Sequence, residues 1–349
     1  MSHERSGGKV DAMTKTAKDD ERELVVGVDL GGTKILAAVV ADSGEVLARD
    51  KMRTRVERGA SEVLERIAKS IRKAIDRSSI GEGKIQAVGI GAPGPLNPDT
   101  GVLEAPPNLT GWKNVPLKAI LEERLGIEVF VENDVNVGTW GEYRRGAGAG
   151  VKDLVGIFIG TGIGGGLILN GSLYRGFNKT AGEVGHITLR PDGPKCGCGK
   201  RGCYEALAGR LGVVRRIAEL AEKKKGKSPI LDEAEGDPLA IRSSLLAKGW
   251  REGDPCVRKA LTEMCEHTGI VIGSLINFLN PELFVLGGGV IGALGDEFIP
   301  LIDKYARAHA FENAARNVRI CPAMLGDDAG VIGAALLALE RRKGPRKPS

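Results

Sequence analysis

Two rhythms of apolar residues run along this chain. Short unbroken apolar runs stop at glycine, aspartate or asparagine, and longer stretches carry apolar residues three or four positions apart. The first pattern predicts buried strands and the second amphipathic helices. Glu23–Leu30 reads as a strand, followed by the turn Gly31-Gly32-Thr33, a second strand Ile35–Ala41, the turn Asp42-Ser43-Gly44 and a third strand Glu45–Lys51. That is an antiparallel meander. Ala60–Arg77 has Val63, Leu64, Ile67, Ile71 and Ile75 at helical spacing. Ile85–Gly91 is a strand entering the rigid loop Ala92-Pro93-Gly94-Pro95, Leu117–Leu125 is a helix, and Ile127–Val131 is a strand ending at Glu132-Asn133-Asp134.

The pattern then restarts. Leu154–Gly160 is a strand, Thr161–Gly166 a glycine turn, Leu167–Leu169 a strand and Asn170-Gly171 a hairpin turn. Both halves thus read apolar strand, Gly/Thr turn, apolar strand, polar-Gly turn, which is the mark of a duplicated fold. Leu207–Lys224 is predicted helical, Lys225–Gly236 a polar loop or insertion, and Pro255–Leu279 a long helix with Cys265 on its apolar face. Glu282–Leu286 is a strand opening into Gly287-Gly288-Gly289, and Ala329–Leu339 is a closing helix. Strands alternating with helices place the chain in the α/β class.

At 349 residues the chain exceeds what one core usually supports, so two domains are expected. The expected division is a disordered extension over 1–22, a small α/β domain over 23–145 completed by a helix at 329–340, a large α/β domain over 146–328, and a disordered basic tail over 341–349. Residues 1–22 lack the apolar segment of a secretory signal, and no apolar run reaches the length of a membrane span. Six cysteines, three of them isolated, fit a reducing cytoplasm. Aromatics make up only 4% while glycine reaches 51 residues, so glycine is expected in tight turns beside ligands. The net charge of +5 is spread thinly, with much of it in the tail, and no nucleic-acid or membrane partner is expected.

The chemistry concentrates in Ala181–Glu205, AGEVGHITLRPDGPKCGCGKRGCYE. Cys196, Cys198 and Cys203 lie within eight residues, and His186 stands ten residues before the first of them. Three thiolates and an imidazole complete a tetrahedral set for a structural Zn²⁺, with no open position for water. The competing reading, buried or oxidised cysteines, requires strained disulfides between near neighbours. Glu183 and Glu205 flank the cluster. Three glycine turns follow strands, at Asp29–Thr33, Gly160–Gly166 and Gly287–Gly289, and none has the spacing of a P-loop or a dinucleotide fingerprint. They are read as backbone N–H groups approaching phosphate oxygens, with ordinary hairpin turns as the alternative. Asp29 can hold Mg²⁺ through waters. Asp134 can accept a proton from an attacking alcohol and Asn133 can bond a sugar hydroxyl; the alternative for this pair is an Asx cap on the following helix.

Taken together, E-x-G-H followed by C-x-C-G-x-x-G-C-x-E resembles the ROK family of repressors, open reading frames and sugar kinases, within the actin and hexokinase superfamily. The likeness runs over roughly Leu24–Leu339. It implies two duplicated actin-like (ribonuclease H-like) domains with an interdomain cleft. It implies ATP-dependent phosphorylation of a hexose, most like the glucokinase branch through Pro93–Leu96 and Pro106–Trp112. Other hexoses (N-acetylmannosamine, N-acetylglucosamine, mannose or fructose) are the alternative, and a sugar-responsive regulator is a second one. By resemblance Asp29, Gly31, Gly32, Thr33 and Lys34 form one phosphate loop, Gly160, Thr161, Gly162 and Gly164 a second, and Gly287, Gly288 and Gly289 the adenosine loop. Gly94, Asn108, Asn133, Glu183, His186 and Glu205 would contact the sugar, Asp134 would be the base, and His186, Cys196, Cys198 and Cys203 the zinc ligands. A homodimer or homotetramer is expected.

Overall fold

The computed structural model describes residues 22–224 and 228–344. Contacts divide the chain into two compact units, one running to Val131 and resuming at Ala334, the other spanning Glu132–Gly333. Each has its own hydrophobic core.

The first unit opens with the meander β1 (Leu24–Leu30), β2 (Lys34–Ala41) and β3 (Val46–Arg53). β1 and β2 are antiparallel, with Asp29 opposite Leu36. Helix α1 (Ala60–Ser78) buries Val63, Leu64, Ile67, Ala68, Ile71, Ala74 and Ile75, the face expected from the spacing. β4 (Ile85–Ala92) pairs parallel with β1. A small sheet of β5 (Leu96–Asn97), β6 (Val102–Leu103) and β7 (Val115–Pro116) precedes α2 (Leu117–Leu125) and β8 (Val129–Asn133). The main sheet has the order β3-β2-β1-β4-β8.

In the second unit, helix α3 (Asp134–Arg145) is followed by β9 (Leu154–Ile159), β10 (Ile163–Leu169) and β11 (Ser172–Leu173). Beyond the cysteine segment come α4 (Tyr204–Ala208), α5 (Arg210–Lys224), α6 (Pro229–Glu233), α7 (Ser243–Glu252) and α8 (Pro255–Leu279). β12 (Leu283–Gly287), α9 (Gly289–His309), α10 (Glu312–Ala315) and β13 (Arg319–Pro322) precede α11 (Ala329–Lys343). The sheet order is β11-β10-β9-β12-β13, strand for strand that of the first unit. The directions match where both are defined: antiparallel meander first, then a parallel crossover. The duplication read from two glycine-turned hairpins is therefore a duplication of whole sheets.

Several elements differ from the sequence reading. Gly164, Gly165 and Gly166 were expected in a turn but lie on β10, so the turn is only Gly160–Gly162. The helix expected over Leu207–Lys224 breaks at Gly209. There the backbone leaves the helix so that Arg210 N–H can donate to the Gly160 carbonyl at 3.0 Å. The loop expected over Lys225–Gly236 contains α6, started by a Ser228 cap and Pro229, a recognisable helix-start signal. Its first residues, 225–227, lie outside the described ones. Helix α9 had no counterpart, although Val290, Ile291, Leu294, Phe298, Ile302 and Ala306 carry its buried face; Pro300 and a non-helical φ of −137° at Leu294 interrupt it. The basic tail expected from residue 341 begins as the last turn of α11. Arg341 donates there to the carbonyls of Val131 and Pro98 at 3.3 and 3.0 Å. Its remaining residues, 345–349, and residues 1–21 of the expected extension lie outside the described ones. The expected boundary at 145/146 falls one helix later than the contact boundary at 131/132, because α3 packs on β9 and β10.

Helices α3 and α11 cross where glycine faces backbone. A Cβ on Gly333 would lie 1.7 Å from the Val137 carbonyl oxygen, and one on Gly141 would lie 2.4 Å from the Ala329 carbonyl. Alanine favours a helix over glycine by about 1 kcal/mol, but overpacking against fixed backbone costs about 1–3 kcal/mol. Overpacking wins at this separation, since the opposing atom is main chain and cannot rotate away. Gly333→Ala should therefore lower the melting temperature, by about 2–4 °C for each kcal/mol lost. A thermal melt at or above the wild type would show that the two helices separate easily.

Candidate active site

The first unit presents Asp29 at the end of β1, half-buried, with Lys34 Nζ at 3.9 Å. Between them the chain turns tightly, and the Gly31 N–H donates to the Lys34 carbonyl at 2.9 Å. Thr54 Oγ1 donates to the Gly31 carbonyl at 2.6 Å and fixes the turn from outside. Gly32 has no side chain because the Asn108 carbonyl oxygen would lie 2.7 Å from its Cβ. The glycine turn and Asn108, 76 residues beyond Gly32 in sequence, are thus pressed together. The Thr33 side chain is exposed, and Gly94 lies just beyond β4, joined to Pro95 by a cis peptide.

In the second unit the organising element is β10. Gly162 faces the Glu205 carboxylate, 2.2 Å from where a Cβ would stand. Gly164 faces Val135 at 2.4 Å, Gly165 faces the Gly182 carbonyl at 2.6 Å and Val184 at 2.7 Å, and Gly166 faces Thr139 at 2.3 Å. The glycines of the turn and of the first half of β10 therefore let three separate segments approach the backbone: the start of α3 beside Asp134, the Gly182–Val184 segment holding Glu183, and Glu205. Gly164, read from sequence as a phosphate-loop residue, has its Cβ position filled by Val135.

Asn133 caps α3, its Oδ1 accepting from the N–H groups of Val135 at 2.9 Å and Asn136 at 3.1 Å. The Asx cap weighed for this pair thus belongs to Asn133, and its Nδ2 is left as the donor end of the amide. Asp134 opens the helix with Oδ1 accepting from Val135 N–H at 2.9 Å. A carboxylate in the first turn is favoured by the helix dipole.

Glu205 uses both carboxylate oxygens. Oε2 accepts from the Ile163 N–H at 2.9 Å, and Oε1 accepts from the Cys196 thiol at 3.6 Å. It joins the glycine strand to the cysteine loop. The adjacent Tyr204 is fully buried and donates to Thr268 Oγ1 at 2.8 Å, tying α4 to α8; burial holds its phenol well above the usual value. In the turn Gly160–Gly162, Thr161 Oγ1 accepts from Arg210 Nη2 at 3.4 Å, and Arg210 Nη1 donates to the Ile241 carbonyl at 3.0 Å. Burial and the charge of Arg242 lower the pKa of that guanidinium. Gly288, at φ +92°, packs on the Ile159 carbonyl and brings the N-terminus of α9 to the same strand end as Gly160. Gly287 packs on the Phe158 ring and Gly289 near Ser243 Oγ, so all three glycines are sites of close approach. Neither Arg210 nor the Tyr204–Thr268 pair is legible from local pattern, since their partners are distant in sequence.

His186, Cys196, Cys198 and Cys203 converge, their ligand atoms all within 4.8 Å of one another. Cys198 and Cys203 sulfurs are 3.7 Å apart, against about 2.05 Å in a disulfide. All six cysteines are free. His186 Nδ1 lies 3.8 Å from Cys196 Sγ, while Nε2 lies 4.0 Å from Glu183 Oε2. One ring nitrogen thus faces the sulfurs and the other the acid. Burial pushes the Cys196 thiol up to about 12 and also raises Cys203, whereas the Lys200 N–H lowers Cys198. The convergence of three sulfurs and one imidazole nitrogen lets the cluster hold a metal ion. No described helix is long and apolar enough to cross a membrane.

The chain is similar to known proteins over nearly its whole length. The glucokinase of Halalkalibacterium halodurans is 35% identical over 323 residues, covering 92% of this chain and 97% of that protein. The crystal structure of a ROK family glucokinase from Streptomyces griseus in complex with glucose and AMPPNP aligns with 92% of this chain and 100% of that one, at 35% identity and a TM-score of 0.79. The ROK hexokinase from Thermus thermophilus aligns over the same shares at 34% identity, with a TM-score of 0.77. Two like sheets, a cysteine–histidine cluster and a match to the ROK family over residues 25–341 agree, and the chain belongs to the ROK family.

Proposed function

We propose that this chain is an ATP-dependent glucokinase, transferring the γ-phosphoryl group of ATP to the 6-hydroxyl of glucose. The observation that carries the reading is the glycine strand β10, which gathers the Asn133–Asp134 cap, the Glu183 segment and Glu205 onto one backbone. The similarity to glucokinases over nearly the whole chain supports it.

In the proposed mechanism, Asn133, Glu183, His186 and Glu205, with Gly94 and Asn108, hold the sugar through its hydroxyls. Asp134 takes the proton of the 6-hydroxyl as its oxygen attacks the γ-phosphorus in line. The new O–P bond forms while the bond from phosphorus to the ADP oxygen breaks, and the proton stays on Asp134. The turns at Gly31–Thr33 and Gly160–Gly162, with Lys34 and the α9 N-terminus, offer N–H groups and positive charge to the phosphates. Asp29 would hold Mg²⁺ entering with ATP through waters, and the ion would supply neutralising charge on the phosphate oxygens. Phosphoryl transfer needs little else from a protein than placement and electrostatics.

The metal that suits His186, Cys196, Cys198 and Cys203 is zinc. Two sulfurs each about 2.3 Å from a tetrahedral zinc lie about 3.8 Å apart, close to the 3.7 Å between Cys198 and Cys203. With four protein ligands such an ion would be structural: His186, Cys196, Cys198 and Cys203 would hold it, and the loop and imidazole would be fixed by it, leaving His186 Nε2 and Glu183 to face the sugar.

A coupled assay with ATP, Mg²⁺ and a panel of hexoses tests the substrate; turnover on N-acetylmannosamine, N-acetylglucosamine, mannose or fructose exceeding that on glucose would reassign it. Asp134→Asn should bind glucose normally and lose on the order of a hundredfold or more in kcat. Retention of a tenth of wild-type turnover would remove Asp134 from the role of base.

Elemental analysis should find about one zinc per chain in the wild type, as a single filled tetrahedral site requires. Cys198→Ser should lose zinc and raise KM for glucose by about ten- to a hundredfold, with KM for ATP nearly unchanged. A thermal melt run alongside separates this effect from partial unfolding, because structural zinc contributes folding energy. Protons compete with the metal for the thiolates, so zinc should be released as pH falls; full activity without zinc would overturn the assignment.

A further inference from the structure

Glu132 is 3% exposed and has no role in the chemistry above, yet it accepts three hydrogen bonds beside the base. Arg175 Nε donates to its Oε2 at 2.7 Å, and Asn136 Nδ2 and the Asn133 backbone N–H each donate to its Oε1 at 3.1 Å. Asn136 is oriented by this acid, for its own buried Oδ1 has no partner. Glu132 therefore fixes the entry into α3 from both sides of the Asn133–Asp134 pair. A carboxylate this buried must be met by hydrogen-bond donors or by a cation held against it. Arg175, its side chain 23% exposed, supplies that cation.

Arg175 belongs to another segment, the loop following β11. Its carbonyl accepts from Ala181 N–H at 2.9 Å, closing the loop two residues before Glu183. Gly182 then packs on the Gly165 carbonyl, and the His186 N–H donates to the Glu183 carbonyl at 3.0 Å. One residue is thus bonded through its side chain to the strand end carrying the base and through its main chain to the segment carrying Glu183 and His186.

We propose that Arg175 is a positioning residue for phosphoryl transfer: its ion pair with Glu132 sets the distance between the base-bearing cap and the sugar-reading segment. The proposal rests on the reading of Asp134 as base and of Glu183 and His186 as sugar ligands. Arg175 acts through Glu132 and its own loop, without touching the reacting atoms. Misplacement by about 1 Å at such a distance from the chemistry can cost on the order of a hundredfold in rate.

The test is a double-mutant cycle on the full chain with Arg175→Met, Glu132→Gln and both together, plus Arg175→Lys. For each variant kcat, KM for glucose, KM for ATP, glucose affinity by calorimetry and a thermal melt are measured. Arg175→Met should lower kcat/KM for glucose by about ten- to a hundredfold while KM for ATP stays within about twofold. Arg175→Lys should recover most of the loss, because the charge facing Glu132 returns. The double variant should lose less than the product of the two single losses, because it leaves no buried carboxylate without a cation. If Arg175→Met does not fold, Glu132→Gln and Arg175→Lys carry the test: Glu132→Gln should lower kcat/KM for glucose with KM for ATP within about twofold, Arg175→Lys should stay near the wild type, and wild-type kinetics in Glu132→Gln would overturn the proposal. Wild-type kcat and KM for glucose in Arg175→Met, or a double variant equal to the product of the singles, would overturn the proposal. An active Asp134→Asn would instead sink the base assignment, while coupling between Arg175 and Glu132 in glucose affinity would still decide the clasp separately.

Discussion

Much of the second unit depends on one constraint, the closeness of approach that the glycine half of β10 permits. Between Gly162 and Gly166, β10 offers only Ile163 as a side chain, and Ile163 is buried. Four neighbours fill the space: Glu205, Val135, the Gly182–Val184 segment and Thr139. Any Cβ on that strand would push away a segment holding a candidate sugar or base residue. The same logic recurs in the first unit at smaller scale, where Gly32 lets the Asn108 carbonyl close on the turn after β1. At these positions glycine is needed because atoms of a neighbouring segment occupy the place of its Cβ.

Close approach places segments, and charge then orients them. Glu205 spans from the Ile163 N–H to the Cys196 thiol, so the strand and the cysteine loop share one carboxylate. Glu132 does the same between the α3 cap and the Arg175 loop. Glu142, fully buried, accepts from the N–H groups of Ala147, Met324 and Leu325 and pins the other end of α3 to the loop after β13. In each case an acid that would be costly to bury is satisfied by several donors, and each donor lies on an element that must not move.

The sequence carried whole elements where one face is apolar and the ends are marked. Helix α8 begins at Pro255 and ends at Leu279 as its spacing predicts, with the Asp254 cap before it. The helix over Ala60–Arg77 and the meander from β1 to β3 were equally legible, and so was the duplication, since each half repeats the same run-and-turn pattern. Helix α9 was missed because its first residues are Gly288 and Gly289, which read as a loop, and because Pro300 interrupts its interior. The first half of β10 was read as a turn for a related reason: three consecutive glycines have low strand propensity, and packing against α3 and the Gly182 segment holds them extended.

What the sequence determined by itself was chemistry that sits within short spacings. Cys196, Cys198, Cys203 and His186 are close enough in the chain that a candidate metal set is readable from ligand type and glycine spacing, and the structure brings the four together. Asn133 and Asp134 stand at a strand end where a cap and an acid are both readable. Tertiary structure decided which groups serve these residues. Arg175 meets Glu132 across 43 residues, Arg210 meets Thr161 across 49, and Tyr204 meets Thr268 across 64. Those partners leave no periodic trace, because a single hydrogen bond or ion pair between distant segments imposes no pattern on the residues beside it. Periodicity records a face that packs repeatedly along one element; a bond made once between two elements is visible only when both are folded.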